Sequence, residues 1–235
     1  MKKKFDITHY VACYNEEKYI INTLKKLILA SKICKIKNQI IIIDDASTDQ
    51  SYSLIKKFIK KKSHNNISVI KRKKNLGISK NYKYALSKAN GYYFRMICGD
   101  DVEKINTHKI ILKALYTYDL IIPSYNKVFG KGFFRSLISK TFTILINLIT
   151  NNNIGYYNGS IAVKTSLIKY IEIPDGFGFQ SFIITKILTI IKKNNFKYLD
   201  FKTVAFHRVK KNKVILKNFV RVIKIIALIL LEKIK

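Results

Sequence analysis

The sequence predicts an α/β fold: a mostly parallel sheet flanked by helices, with basic amphipathic helices toward the C-terminal end. Three observations carry that prediction. Short β-branched runs alternate with helically spaced segments through the first hundred residues, as they do when strands are joined by crossover helices. Residues 40–43 are consecutive isoleucines, which suits a strand covered on both faces. That strand stops at Asp44-Asp45-Ala46-Ser47-Thr48-Asp49, and an open parallel sheet holds its ligand at such strand exits.

The elements follow in order. Residues 7–12 read as the first strand, and the spacing of Ile20, Ile21, Leu24, Leu27 and Ile28 predicts a helix over 15–30. A strand at 39–43, a helix at 51–61, a strand at 67–72 and a helix at 78–90 closed by Gly91 come next. A fourth strand, 92–97, runs into Gly99-Asp100-Asp101. Because the carboxyl ends of parallel strands share one edge, residues 13–17, 44–49, 73–77 and 99–101 are expected around a single crevice. The acidic run at 44–49 also suits the N-cap of the helix at 51–61, although one cap needs one side chain and five polar ones are present.

The second half differs in character. A strand at 120–123 precedes the glycine-bearing stretch 129–135 and a helix over 136–149 whose apolar residues sit beside basic ones. An interfacial helix and an ordinary core helix both fit that pattern. Helices are also expected at 164–171, from the end of the 174–180 loop through Lys192, and across the basic, apolar tail 214–235.

At 235 residues the chain is long enough for one well-buried domain. Its net charge of +31 is almost entirely lysine, with arginine only at 72, 95, 135, 208 and 221. Nucleic-acid recognition leans on the guanidinium fork, so the charge reads mostly as a lysine-rich background over the whole surface, with attraction to anionic lipid or a phosphorylated substrate as its expected use. Cys13, Cys34 and Cys98 have no CxxC spacing and read as buried thiols of a reducing compartment. The apolar stretches 141–149 and 225–231 are too short to span a bilayer, and the expected location is cytoplasmic, peripheral at the inner face of the cell membrane. There is no GxGxxG after the first strand and no P-loop. The histidines at 9, 64, 108 and 207 lack zinc-ligand spacing. Two acidic clusters at strand ends with a lysine-rich approach fit a divalent cation bridging a diphosphate, where neutralising the departing group is itself catalysis.

Taken in order, Val11-Ala12-Cys13-Tyr14-Asn15-Glu16-Glu17, Ile43-Asp44-Asp45-Ala46-Ser47-Thr48-Asp49, Asn75-Leu76-Gly77 and Gly99-Asp100-Asp101 resemble the nucleotide-sugar motifs of family 2 glycosyltransferases with the Rossmann-like GT-A fold. More loosely, the later half is similar to the polyprenyl- and dolichyl-phosphate sugar transferase branch. The likeness lies in the basic helix at 133–149, the Gly176-Phe177-Gly178-Phe179-Gln180 segment and the loop His207-Arg208-Val209-Lys210-Lys211. The resemblance implies a nucleotide-sugar-binding half at 1–105, an acceptor half with an interfacial helix at 106–212 and a C-terminal basic helix at 213–235. It implies that Ala12, Tyr14, Asn15, Glu16, Asn75 and Gly77 line the donor pocket, that Asp44 meets the base, and that Asp45 meets the ribose or orients the loop. Asp100 matches the metal-binding acid, for Mg2+ or Mn2+, with Asp101 in catalytic support. The first acid of that element is replaced by Cys98, a soft donor ill-suited to a hard cation.

An acid is expected just after Phe179-Gln180, but Ser181-Phe182 stands there, leaving Asp175 and Glu172 as substitute bases or as plain loop residues. A sugar hydroxyl needs such a base, whereas a lipid phosphate is already anionic. Gln180, Arg208 and Lys210, with Lys211, are the expected acceptor- and phosphate-binding residues, or else solvated polar groups. The implied function is an inverting transfer from a nucleoside-diphosphate sugar to a polyprenyl phosphate or glycan in cell-envelope synthesis. Two alternatives stand beside it: transfer to a sugar hydroxyl in polysaccharide or lipopolysaccharide assembly, and a non-catalytic basic module binding membrane or nucleic acid.

Overall fold

The computed structural model describes residues 3–61, 65–130, 132–176, 178–206 and 223–231. Seven strands form one sheet: β1 (Phe5–Cys13), β2 (Asn38–Asp44), β3 (Ile67–Lys71), β4 (Gly91–Cys98), β5 (Leu120–Phe129), β6 (Ala162–Lys164) and β7 (Tyr198–Phe206). Their spatial order is β3-β2-β1-β4-β6-β5-β7. All neighbouring pairs are parallel except those of β6, which runs antiparallel to both β4 and β5. The mostly parallel α/β architecture is therefore as the sequence predicts.

Helices α1 (Ile20–Cys34), α2 (Ser51–Lys61), α3 (Ile78–Ser87), α4 (Ile105–Ala114), α5 (Phe133–Thr150), α6 (Thr165–Ile168) and α7 (Phe179–Asn194) flank it. On one face of the sheet, α1 and α2 bury Leu24, Leu27 and Ile55 against Val11, Ile40, Ile42 and Ile97. On the other, Tyr82 of α3, Ile146 of α5 and the apolar stripe of α7 pack on Tyr10, Ile41, Ile43, Phe94 and Met96. The alternation of the isoleucine run between the two clusters is what a strand buried on both faces requires.

Several expected boundaries move. The helix read from Asn15 begins at Ile20, because Asn15 takes a left-handed conformation (φ 54°) and the preceding residues form a loop. The strand read as ending at Pro123 continues to Phe129. The helix read over 164–171 is the short α6, preceded by β6. Of the tail helix, residues 223–231 are described and helical, with Ile225 and Ile229 buried in the core. Of the thiols expected to be buried, Cys13 is, Cys34 is half-buried, and Cys98 is exposed at the exit of β4.

A buried polar network lies behind β4. The fully buried Arg95 donates to Glu103 Oε2 at 2.5 Å, to the Ser160 carbonyl and hydroxyl at 3.0 Å each, and to His108 Nδ1 at 2.9 Å. Since guanidinium only donates, His108 Nδ1 must accept and carry no proton. That contact outweighs the 3.3 Å approach of Glu103 to the same ring. Burial, then Arg95 and Lys26, hold His108 well below its ordinary pKa. Burial, Arg95 and His108 do the same to His9, whose ring nitrogens have no hydrogen-bond partner among the described residues.

Both rings are thus neutral in the folded protein, while the unfolded chain takes up protons below the ordinary value of 6.5. Stability should be flat above about pH 7 and fall below pH 6.5, by up to about 1.4 kcal/mol per pH unit for each ring. Melting curves between pH 7.5 and 5 check this, and His9→Leu should make the decline shallower.

Candidate active site

Strand register assembles the site. Cys13 sits opposite Asp44, Asp44 opposite Lys71, and Ala12 opposite Cys98. The exits of β1 to β4 therefore lie side by side, as the sequence predicts.

Reciprocal hydrogen bonds lace the first two exits together. Asn15 N–H donates to Ser47 Oγ at 2.9 Å, and Asn15 Oδ1 accepts from Thr48 N–H at 2.8 Å. Glu16 N–H donates to Ser51 Oγ at 2.8 Å, Glu17 N–H to Asp49 at 3.1 Å, and Gln50 N–H to Glu17 at 3.0 Å. Asp49 also accepts from Ser51 N–H at the start of α2, so its capping role is real. Tyr14 is left exposed on this cradle.

The two adjacent aspartates divide their work. Asp45 accepts from the backbone N–H groups of Leu76 and Gly77, at 2.8 and 2.9 Å, and so clamps the β3–α3 loop to the β2 exit. Gly77 has φ 83° there, a conformation that costs other residues about 1 kcal/mol or more. Asn75, on the same loop, is exposed. Asp44 is fully enclosed, and its Oδ1 accepts from Ser47 N–H at 2.8 Å. Oδ1 thus shapes the turn after β2, while Oδ2 has no hydrogen-bond partner among the described residues. The surface beside it is a hollow of about 450 Å³ lined by Ala46, Ser47, Lys71, Arg72 and Lys73. Arg72 is held by Asn81 at 2.9 Å and lies over the Tyr84 ring, 4.2 Å from its centroid.

At the β4 exit the chain passes close to β1. Gly99 N–H donates to the Ala12 carbonyl at 2.8 Å, and a Cβ on Gly99 would meet that oxygen at 3.0 Å and Ile20 Cδ1 at 2.9 Å. Asp101 takes φ 57° and turns its carboxylate onto α1, accepting from Asn22 at 2.5 Å and pairing with Lys26 at 2.8 Å. It is buried there. Asp101, expected in catalytic support, thus anchors the loop to α1 in this structure, and Asp100 beside it is half-buried.

Other expected residues fall elsewhere. Asp175 is 54% exposed and pairs with Lys83 of α3 at 2.8 Å, and the hydrogen bond from Lys83 holds its carboxyl below the usual range. A carboxylate so held is a weak base. Ser181 is fully buried and donates to Asn158 at 3.4 Å, and Gln180 lies beside the Gly159 carbonyl. His207, Arg208, Lys210 and Lys211 lie outside the described residues.

A second hollow, of about 250 Å³, was not legible from motifs. It is lined by Tyr125, Asn126, Ser136, Ser139, Lys140 and Tyr156, among others. It opens between the extension of β5, α5 and the loop before β6. In the strand order β5 lies on the side of β4 away from β1, so this hollow is on that side of the β4 exit. The signal that marks it is the hydroxyl and amide content of Tyr125, Asn126, Ser136, Ser139, Thr143 and Tyr156.

The family model described as glycosyl transferase family 2 matches residues 9–188, spanning every strand exit described above. The chain belongs to glycosyl transferase family 2. It is 27% identical over 241 residues to an uncharacterised protein of Methanocaldococcus jannaschii, covering 94% of this chain and 98% of that one. Among solved structures, this family 2 chain is similar in fold to TarS of S. aureus in complex with UDP-GlcNAc, with a TM-score of 0.62 and 21% identity over 97% of this chain. It spans 66% of that structure's length, just under two thirds. It is also similar to glucosyl-3-phosphoglycerate synthase of Mycobacterium tuberculosis in complex with Mn2+, UDP and phosphoglyceric acid, with a TM-score of 0.70, 15% identity and coverage of 97% and 78% of the two chains.

Proposed function

We propose that the chain is an inverting glycosyltransferase that moves a sugar from a nucleoside-diphosphate sugar to a polyprenyl phosphate, working at the inner face of the cell membrane in envelope-glycan synthesis. The observation that carries the acceptor is that, among the described residues, neither expected substitute base is poised: Glu172 is exposed and Asp175 is held by Lys83. Ser181, enclosed in the core, stands where a hydroxyl-activating acid is expected, and Asp175 is neutralised by Lys83. An anionic phosphate oxygen needs no proton removed.

The donor end is the laced cradle of Tyr14 to Glu17 with Ser47, together with the hollow beside Arg72 and Lys73. Asp100 faces the diphosphate. The donor set at this exit is one carboxylate and one thiol, and no group of three or more metal-ligating side chains exists among the described residues. That set does not cage a resident metal, but it fits Mg2+ or Mn2+ arriving with diphosphate oxygens, since these cations commonly take one or two carboxylates plus phosphates. When bound, the cation supplies charge neutralisation for the leaving nucleoside diphosphate. The acceptor phosphate oxygen forms its bond to the anomeric carbon from the opposite face as the sugar–diphosphate bond breaks. Tyr156, Ser139 and Lys140 of the second hollow would bind and orient that phosphate.

The membrane reading rests on α5. Phe133, Ile138 and Leu148 are 76%, 64% and 75% exposed, alongside exposed Arg135 and Lys140, and Ile223 and Leu231 of the C-terminal helix are exposed as well. Among the described residues no helix is long and apolar enough to cross a membrane. Basic helices with exposed apolar residues dock on anionic lipid.

The test is incubation with UDP- and GDP-sugars, Mn2+ and polyprenyl phosphate in anionic vesicles, read by mass spectrometry. A one-sugar mass gain on the polyprenyl phosphate is expected. Product on an oligosaccharide hydroxyl instead, or tight RNA binding with no transfer, would overturn the reading.

A further inference from the structure

The buried network behind β4 has its two ends at the two halves of the site. Glu103 lies three residues after Asp100. Its Oε2 takes Arg95, and its Oε1 accepts from both the Tyr125 hydroxyl and Ser160 Oγ. The ring of Tyr125 then forms a wall of the 250 Å³ hollow and meets Tyr156 edge-on, with centroids 5.4 Å apart. Burial, then the Glu103 carboxylate, keeps the Tyr125 phenol protonated and donating.

The backbone around Asp100 is pinned on three sides. Asp101 is tied to Lys26 and Asn22 of α1. Lys26 also donates to the Glu103 carbonyl at 3.3 Å. Val102 accepts from Phe206 N–H at 3.0 Å, and Glu103 bridges to Ala205 at the end of β7. A buried ion pair adds little net stability over apolar residues of the same volume, so stability alone does not account for three partners converging on one carboxylate. What the arrangement does uniquely is couple the Asp100 loop to the wall of the second hollow.

We propose that Glu103 is a positioning residue which, through the Tyr125 hydroxyl, sets the acceptor hollow at a fixed distance from the donor acid. Glu103 touches neither substrate. It acts by holding Tyr125 against rotation, and Tyr125 holds Tyr156. This inference rests on the acceptor reading given above.

The deciding variant is Tyr125→Phe, which keeps the ring and removes only the link. Ser160→Ala is its control, because Ser160 bonds the same oxygen of Glu103 without lining the hollow. With wild type and both variants, sugar transfer to polyprenyl phosphate and donor hydrolysis by water are measured in one reaction, together with the donor KM. Tyr125→Phe is expected to lower the transfer-to-hydrolysis ratio about tenfold, as loss of a hydrogen bond to a charged group does, with donor KM within twofold. Ser160→Ala should lower the melting temperature and leave the ratio within twofold.

An unchanged ratio in Tyr125→Phe, or equal falls in both variants, would overturn the positioning role while leaving the acceptor reading intact. Absence of polyprenyl-linked product from the wild type would overturn the acceptor reading, and this inference with it.

Discussion

Replacing Asp100 with alanine is expected to lower nucleotide-sugar turnover at least a hundredfold without changing the melting temperature by more than a degree or two. On the proposed reading its carboxylate is the acid of the β4 exit that meets the diphosphate, whereas Asp101 beside it is tied to Lys26 and Asn22. Removing one preorganised group that stabilises developing charge costs roughly 10² to 10³ in rate, about 2.7 to 4 kcal/mol. The contrast with Asp101→Ala separates chemistry from architecture. That substitution strips the partner from Lys26 and from Asn22, a loss of roughly 1–3 kcal/mol. For a chain of this size it lowers the melting temperature by about 2–10 °C. Turnover assays and melting curves on the two variants, purified side by side, check both halves.

The largest effect on stability is expected from Glu103→Ala. The substitution leaves the fully buried Arg95 guanidinium without its counter-ion and the Tyr125 and Ser160 hydroxyls without their acceptor. Breaking a buried pair from one side costs about 3–5 kcal/mol, a fall of roughly 10 °C or more in melting temperature. The double variant Arg95→Met, Glu103→Met should recover much of that loss, because an apolar pair of similar volume escapes the desolvation cost. A double variant no more stable than Glu103→Ala would show that the remaining polar partners, not the unpaired charge, carry the penalty.

The adjoining strand exits were legible in the sequence because each of their loops follows a strand with a strong apolar period. Parallel topology then places strand exits together whatever their separation along the chain. The second hollow was not, for local reasons. Pro123 reads as a strand end, yet β5 continues six residues past it, paired with β7. β6 is three residues long, too short for alternation to register. The roles of paired aspartates were hidden as well. Asp44 and Asp45, like Asp100 and Asp101, are the same residue type side by side, and only backbone conformation decides which carboxylate faces the crevice. The left-handed φ of Asp101 sends its side chain to α1. The Arg95, Glu103 and His108 cluster joins residues from a strand, a loop and a helix at spacings that match no motif.

The central claim is that the strand-exit crevice holds a nucleoside diphosphate together with a divalent cation at Asp100. Calorimetric titration of UDP and GDP, with and without Mn2+, into wild type and Asp100→Asn tests it most directly. One of the two nucleotides should bind the wild type more tightly with Mn2+ present, and the Mn2+ dependence should vanish in Asp100→Asn while metal-free binding persists. No nucleotide heat in the wild type, or the same Mn2+ dependence in the variant, would contradict the account.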